Sequence, residues 1–392
     1  MERLLNQFVQ LLQTFNCQPT FPITSVVLQR NPRLIQDLAR KGVEFAIHGY
    51  THVDYSALPY DEQRGHLLQA TRIFADHRIA FKGFRAPYLR WNTDTIQSVR
   101  EQAFFYDNSQ ALWWNVPLCT DTAFYRRALA FYHAQPADQY PSLPWMEDGL
   151  VRMPYALPDD EALVERLHCD ALQMTEVWLS ILQQVHQLDE LFVLGLHPER
   201  FHFCQEALTA TLSQARIMQP AIWFGRLDEI AAWWQARLQT TVSISPQKDS
   251  FEVRVEGPAG VTVLARAVSL SAPQEAWWGS YRRVRALSFT VYSAVRPWIG
   301  VSSRSAKELV TFLRQQGYIV EIGDESAAYT VYFDQPVFDA QHQRLVLRQI
   351  EEARFPLLRL GRWPNGSRGA LAITGDIDAL TWWDYGARIL GR

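Results

Sequence analysis

Val43-Glu44-Phe45-Ala46-Ile47-His48-Gly49-Tyr50-Thr51-His52 is a short apolar run that ends in two histidines four positions apart. The run reads as a strand, and helical and strand-like segments alternate around it. The first fifteen residues place Leu4, Leu5, Phe8, Val9, Leu11, Leu12 and Phe15 on a 3.6-residue period, which predicts an amphipathic helix. Strand-like Thr20 to Thr24 and a helix near Pro32 to Lys41 precede the run. A helix near Tyr60 to Phe74 and the strands Phe81 to Phe84 and Leu191 to Leu196 follow it. This βα alternation, continuing to about residue 238, predicts a parallel sheet or barrel whose reactive side chains gather at the carboxyl ends of its strands.

Beyond about residue 240 the apolar period falls to two. Val242 and Ile244, then Phe251, Val253 and Val255, then Val261, Val263 and Ala265 are separated by turn formers such as Pro246 and Gly257-Pro258, the pattern of a small β module. Residues 305 to 353 are mixed, with a helix ending at Gly317, strands at Tyr318 to Ile322 and Tyr329 to Phe333, and a helix near 340 to 353. After the turn Pro364-Asn365-Gly366 comes one last apolar strand, Ala370 to Thr374. The domain reading is therefore 1–238 as the barrel, 239–365 as the accessory module, and 366–392 as a returning strand.

With 48% apolar and 20% charged residues the 392-residue chain has the material for a well-formed core. A net charge of -3 gives no electrostatic reason to expect nucleic acid or an acidic membrane as partner. Cys17, Cys119, Cys169 and Cys204 are scattered with no C-x-x-C spacing, which argues against a thiolate zinc site and a disulfide scaffold and for a reduced, cytoplasmic setting. The N-terminal helix lacks a signal peptide's continuous apolar core, and no segment reads as a membrane span. The fourteen tryptophans offer faces for sugar stacking, although core or rim packing is the commoner use of any one of them.

In a helical turn, the i, i+4 spacing of His48 and His52 would place both imidazoles on one face, ready to share a metal. Ten histidines give roughly 0.2 such pairs by chance, so the pair alone is weak. A catalytic zinc site also requires a third protein ligand and an open position. The best third ligand lies in Thr374-Gly375-Asp376-Ile377-Asp378, where alternate residues at a strand end deliver two carboxylates to one pocket. Acidic pairs at strand ends are usually solvated, but here an otherwise apolar strand ends abruptly in charge.

Taken in order, these segments resemble the polysaccharide deacetylase group (NodB homology, carbohydrate esterase family four). His48 to His52 resembles its H-x-x-x-H motif, Gly83-Phe84-Arg85-Ala86-Pro87-Tyr88 its R-x-P-Y motif, and Leu196-His197-Pro198 its L-H-P motif. Gly149 to Pro154 is similar to a further recurring segment. The family's aspartate pair, on an opening strand that should precede the N-terminal helix and Pro19 to Thr24, is missing at that place, and Asp376 and Asp378 supply a D-x-D version at the other end of the chain. The order implies a circularly permuted, distorted (β/α) barrel with a β-rich module inserted before the final strand. A truncated or split gene is the competing reading, and the position of Asp378 relative to the histidines separates the two.

The resemblance implies Asp378, His48 and His52 as ligands of Zn2+ or another divalent transition metal, Asp376 as general base and Arg85 as the residue that holds it. It further implies the backbone N–H of Tyr88 as an oxyanion donor, His197 as general acid and Leu196 as a lining residue of the acyl pocket. Trp113, with Trp114, is a candidate wall of the substrate groove, and Asp107 a candidate to orient His197. The remaining histidines show no usable ligand spacing. The implied activity is hydrolysis of an acyl, chiefly N-acetyl, group on a sugar or glycan-like substrate. A ureide hydrolase resembling allantoinase and a catalytically inactive carbohydrate-binding protein are the alternatives.

Overall fold

The computed structural model describes residues 1–116, 122–381, 383–384 and 386. Its barrel strands are β1 (Thr20–Ile23), β2 (Glu44–Ile47), β3 (Gly83–Phe84), β4 (Tyr106–Trp113), β5 (Leu150–Leu157), β6 (Leu191–Leu196) and β7 (Ala370–Gly375). Each pairs in parallel with the next, β4 with β5 and β5 with β6 included, and β7 returns to β1. The ring is therefore closed and runs in chain order, the α/β barrel expected from the alternation.

β7 is no appendage. All six of its residues are buried, and it follows β6 in register from Ala370 opposite Leu191 to Gly375 opposite Leu196. On its other side Thr374 pairs with Thr20, and the Ile377 N–H donates to the Pro22 carbonyl at 2.8 Å. Parallel strands buried on both faces read as continuous apolar runs, and Ala370 to Ile373 is such a run.

The Glu2–Thr14 helix covers this seam. Its apolar face carries Leu5, Phe8, Val9 and Leu12, and Phe8 stacks on Phe201 with centroids 5.2 Å apart. The Thr93–Glu101 and Ala171–Leu188 helices start with reciprocal caps, Asn92 with Thr95 and Asp170 with Gln173, each satisfying backbone N–H groups that the first turn leaves unpaired. Inside the barrel large polar side chains fill the volume. A Cβ on Gly195 would fall 1.9 Å from the Tyr155 hydroxyl, so glycine at that point of β6 is what admits the Tyr155 ring.

Residues 241–360 form three small sheets. One is antiparallel and contains Thr241–Pro246 and Ser250–Glu256. Another pairs Val263–Arg266 with Tyr281–Val284 and Leu357–Leu360. The third is parallel, Arg296–Val301 flanked by Val320–Ile322 and Tyr329–Phe333, with the Lys307–Gln315 helix as crossover. Two strands are shorter than the sequence reading, Phe81 to Phe84 reducing to Gly83–Phe84 and Tyr318 to Ile322 to Val320–Ile322. Trp114, Trp178, Trp234, Trp298 and Trp363 are fully buried, the bland reading of those rings. Cys17 and Cys204 are buried free thiols, and Cys119 lies outside the described residues. Among the described residues no helix is long and apolar enough to cross a membrane.

Candidate active site

At the carboxyl ends of β2 and β7 the chain turns sharply. Gly49 takes φ +82°, a left-handed value that glycine adopts without a Cβ penalty, so His48 to His52 is a loop and not the helical turn the spacing suggested. The turn brings the imidazoles together, with centroids 5.2 Å apart. After β7, Ile377 bridges to Ile23 and is 2% exposed, which leaves Asp376 and Asp378 on the other side of the extended backbone. Nε2 of His52 lies 3.2 Å from Oδ2 of Asp378, and Nε2 of His48 lies 3.4 Å from its Oδ1. One ligand atom from each of the three lies within 4.8 Å of the others.

Nδ1 of His48 bonds to the Arg85 carbonyl oxygen at 2.8 Å. A carbonyl only accepts, so the proton sits on Nδ1 and the Nε2 lone pair faces the aspartates. Two imidazoles and one carboxylate form the donor set of a catalytic zinc site that keeps a position open. The residues present therefore fit a borderline divalent metal.

Arg85 is wholly buried beneath Asp376. Its Nη1 donates to the Asp376 carboxylate, Nε and Nη2 donate to Oδ1 of Asn108, and Nη2 also donates to Thr374 Oγ1 at 3.1 Å. The guanidinium carbon stands 4.7 Å from the Tyr155 ring centroid. Every face of the cation is thus engaged, which fixes one Asp376 oxygen and leaves the other, Oδ2, 3.7 Å from Nε2 of His48.

Residues 2–105 match the polysaccharide deacetylase family model. The matched span includes His48, His52 and Arg85, while His197, Asp376 and Asp378 lie outside it. None of the curated proteins matches the chain. Among solved structures, a probable polysaccharide deacetylase from Pseudomonas aeruginosa PAO1 is 20% identical with a TM-score of 0.48 over 59% of this chain and 72% of its own. A putative polysaccharide deacetylase from Mycobacterium smegmatis is 21% identical with a TM-score of 0.47 over 62% and 81%. An allantoinase gives 20%, 0.48, 59% and 72%.

His197 follows β6, and its orienting partner is Asp160, which the sequence reading missed. Nδ1 of His197 bonds to Oδ1 of Asp160 at 2.7 Å, and the His197 backbone N–H donates to Oδ2 at 2.6 Å. Burial disfavours the imidazolium, but the charge and hydrogen bond of Asp160, with Asp376 and Asp159 behind them, outweigh it and raise the His197 pKa well above its usual value. Asp159, buried and beside Asp160, is pushed up to about 7, and its Oδ2 accepts from the Tyr155 hydroxyl at 2.7 Å.

Asp107, expected to orient His197, does other work. Arg152 Nε donates to it at 2.8 Å and the Ser109 hydroxyl at 2.5 Å. Ser109 Oγ in turn accepts the Ala86 N–H at 2.8 Å, so Asp107 braces the Arg85–Pro87 loop from below. A signal for Asp160 was present in the sequence: Leu150 to Leu157 is an apolar strand followed by Pro158-Asp159-Asp160, another strand end that breaks into charge.

These groups face one cavity of about 580 Å3 whose lining includes His48, His52, Asp376, Asp378 and His197. Tyr88 lines it too, at φ +57° with its ring edge-on to His52 at 4.2 Å. Leu196 and Trp113 do not line it. Leu196 is buried in the barrel core, and its carbonyl accepts from the Asp376 N–H at 3.0 Å; Trp113 packs half-buried against the cluster shared with the accessory module. The aromatic wall is supplied instead by Phe124, Phe131 and Tyr132, around a helix that the motif reading did not weigh.

Proposed function

We propose that this chain is a divalent-metal-dependent deacetylase that hydrolyses an N-acetyl group on a sugar or glycan-like substrate. The observation that carries the reading is the meeting of three sets in one cavity: His48, His52 and Asp378; Asp376 on Arg85; His197 on Asp160. His48, His52 and Asp378 would hold the metal, Zn2+ by donor chemistry, which when bound supplies Lewis acidity that polarises the acyl carbonyl and makes water easier to deprotonate.

The remaining steps belong to the chain. Asp376, oriented by Arg85, takes the proton of the attacking water. Negative charge then develops on the former carbonyl oxygen, and the Tyr88 backbone N–H meets it, held by the strained turn after Pro87. His197, kept protonated by Asp160, gives its proton to the departing amine as the carbon–nitrogen bond breaks. An acid kept protonated by Asp160 and a base oriented by Arg85, on different elements of one cavity, is the arrangement this chemistry requires.

The position of β7 beside β1 favours circular permutation over a split gene as the origin of the C-terminal D-x-D. The deciding experiment incubates the Zn2+-loaded protein with N-acetylglucosamine oligomers and, separately, with allantoin. Acetate release from the first alone supports the proposal. Turnover of allantoin alone would make it a ureide hydrolase, and turnover of neither with metal bound would favour an inactive binding protein.

A further inference from the structure

A second cavity, about 310 Å3, opens between the end of the Ala171–Leu188 helix, the hairpin tip Trp278-Gly279-Ser280 and the Gln343–Glu352 helix. Arg344, Arg348, Arg359, Arg362 and Arg368 all line it. Two of them are matched by carboxylates. Arg344 donates to both oxygens of Glu190, and Arg359 lies 3.1 Å from Asp189 and 3.5 Å from Glu351.

The others are not. The nearest carboxylate contact of Arg362 is Asp189 Oδ2 at 3.8 Å. Among the described residues no carboxylate oxygen lies within 4.0 Å of a guanidinium nitrogen of Arg348 or Arg368. Capping of the helix end explains only part of this arrangement. Nη1 of Arg362 donates to the Leu188 carbonyl at 3.0 Å and Nη2 of Arg368 to the Gln187 carbonyl at 2.5 Å, favourable for cations at a helix C-terminus. That leaves Nε of both residues and Nη2 of Arg362 buried without a hydrogen-bond partner, although the Arg362 side chain is 2% exposed and Arg368 is 6% exposed. Buried guanidinium N–H groups without acceptors are costly. Burial and the neighbouring charges of Arg359 and Arg362 push the Arg368 guanidinium down to about 10; burial and Arg362 push Arg237, just behind, down to about 9. Asp189, Glu190, Glu351 and Glu352 line the same cleft, four carboxylates against five arginines, so the cluster keeps one net positive charge. At its mouth Arg368 packs on the Trp278 ring at 4.5 Å, and Trp278 is 36% exposed.

We propose that this cleft binds an oxyanion, the phosphoryl or carboxylate group of a small ligand, with Arg362, Arg368 and Arg348 as its donors and Trp278 as the face its body rests on. The planar fork of arginine matches the oxygens of either group. The inference does not rest on the deacetylase reading, because none of these residues lines the catalytic cavity.

The test titrates the full-length protein with inorganic phosphate and with glucuronate, by calorimetry and by thermal shift against sodium chloride at matched ionic strength. A saturable shift above that of chloride with phosphate identifies a phosphoryl site, and one with glucuronate a carboxylate site. Arg348→Ala is expected to weaken binding several-fold and Arg368→Gln at least ten-fold, with Asp378→Asn unchanged. Should Arg368→Gln fail to fold, Arg348→Ala and Trp278→Ala, both at the mouth, decide the matter. Neither anion exceeding chloride would mean that water alone meets these donors and would overturn the site. So would binding unaffected by the mouth variants, or binding abolished by Asp378→Asn, which would move the anion to the catalytic cavity.

Discussion

Nε2 of His52 lies 3.2 Å from Oδ2 of Asp378, and the contact exists only because β7 closes the barrel beside β1. The two ends of the chain therefore depend on one another for both fold and site. Deleting residues 368–392 should do more than remove two carboxylates. It would open β6 and β1 along a buried edge, with unpaired backbone groups at about 1–3 kcal/mol each against a total stability of about 5–15 kcal/mol. The truncated chain is expected to be insoluble or molten by circular dichroism, while the double variant Asp376→Asn with Asp378→Asn folds. A soluble truncation with an unchanged melting temperature would contradict the closed ring.

Asp376→Asn removes the base but none of the three metal ligands. Turnover is expected to fall by about two to four decades, the usual range for general acid–base catalysis, with metal content unchanged. Wild-type turnover in a metal-loaded variant would take Asp376 out of the mechanism.

Arg85→Lys keeps the charge and loses the fork. Asn108 Oδ1 and Thr374 Oγ1 would each lose a buried donor, so urea denaturation should show a loss of about 1–3 kcal/mol. Turnover should fall with it, because Asp376 is no longer held. Unchanged stability would mean that lysine and water replace the guanidinium.

Asp160→Asn tests the acid. His197 has a folded pKa raised above its unfolded value, so the stability it contributes is complete below the unfolded value and is lost as pH rises through the folded one. Activity that needs protonated His197 declines through the same upper range. Without the Asp160 charge the folded pKa drops, and both the alkaline limb of kcat and the alkaline loss of stability should move to lower pH. A limb that does not move would assign it to another group.

Much of this was legible in the sequence, for identifiable reasons. His48, His52, Arg85, His197, Asp376 and Asp378 all stand in or just after apolar strands that break into polar residues, and a barrel collects such ends on one face. Partnerships set by three-dimensional packing were not legible. Asp107 and Asp160 are both acids on or after apolar strands, and only the geometry shows that Arg152 takes the first and His197 the second. Leu196 and Trp113 sit beside the right residues in sequence but face the core and the accessory module. The order of the motifs, with D-x-D after the last apolar strand, was what placed β7 in the barrel, yet the spacing of His48 and His52 fits a helix as well as a loop, and Gly49 decides for the loop.

Metal content per chain is the most direct measurement. After dialysis against Zn2+ and removal of free metal, the wild type and Asp376→Asn should each retain about one equivalent by elemental analysis, while His52→Ala and Asp378→Asn, folded by circular dichroism, should retain almost none. Equal zinc in all four proteins, or none in the wild type, would contradict a metal centre built from the two ends of this chain.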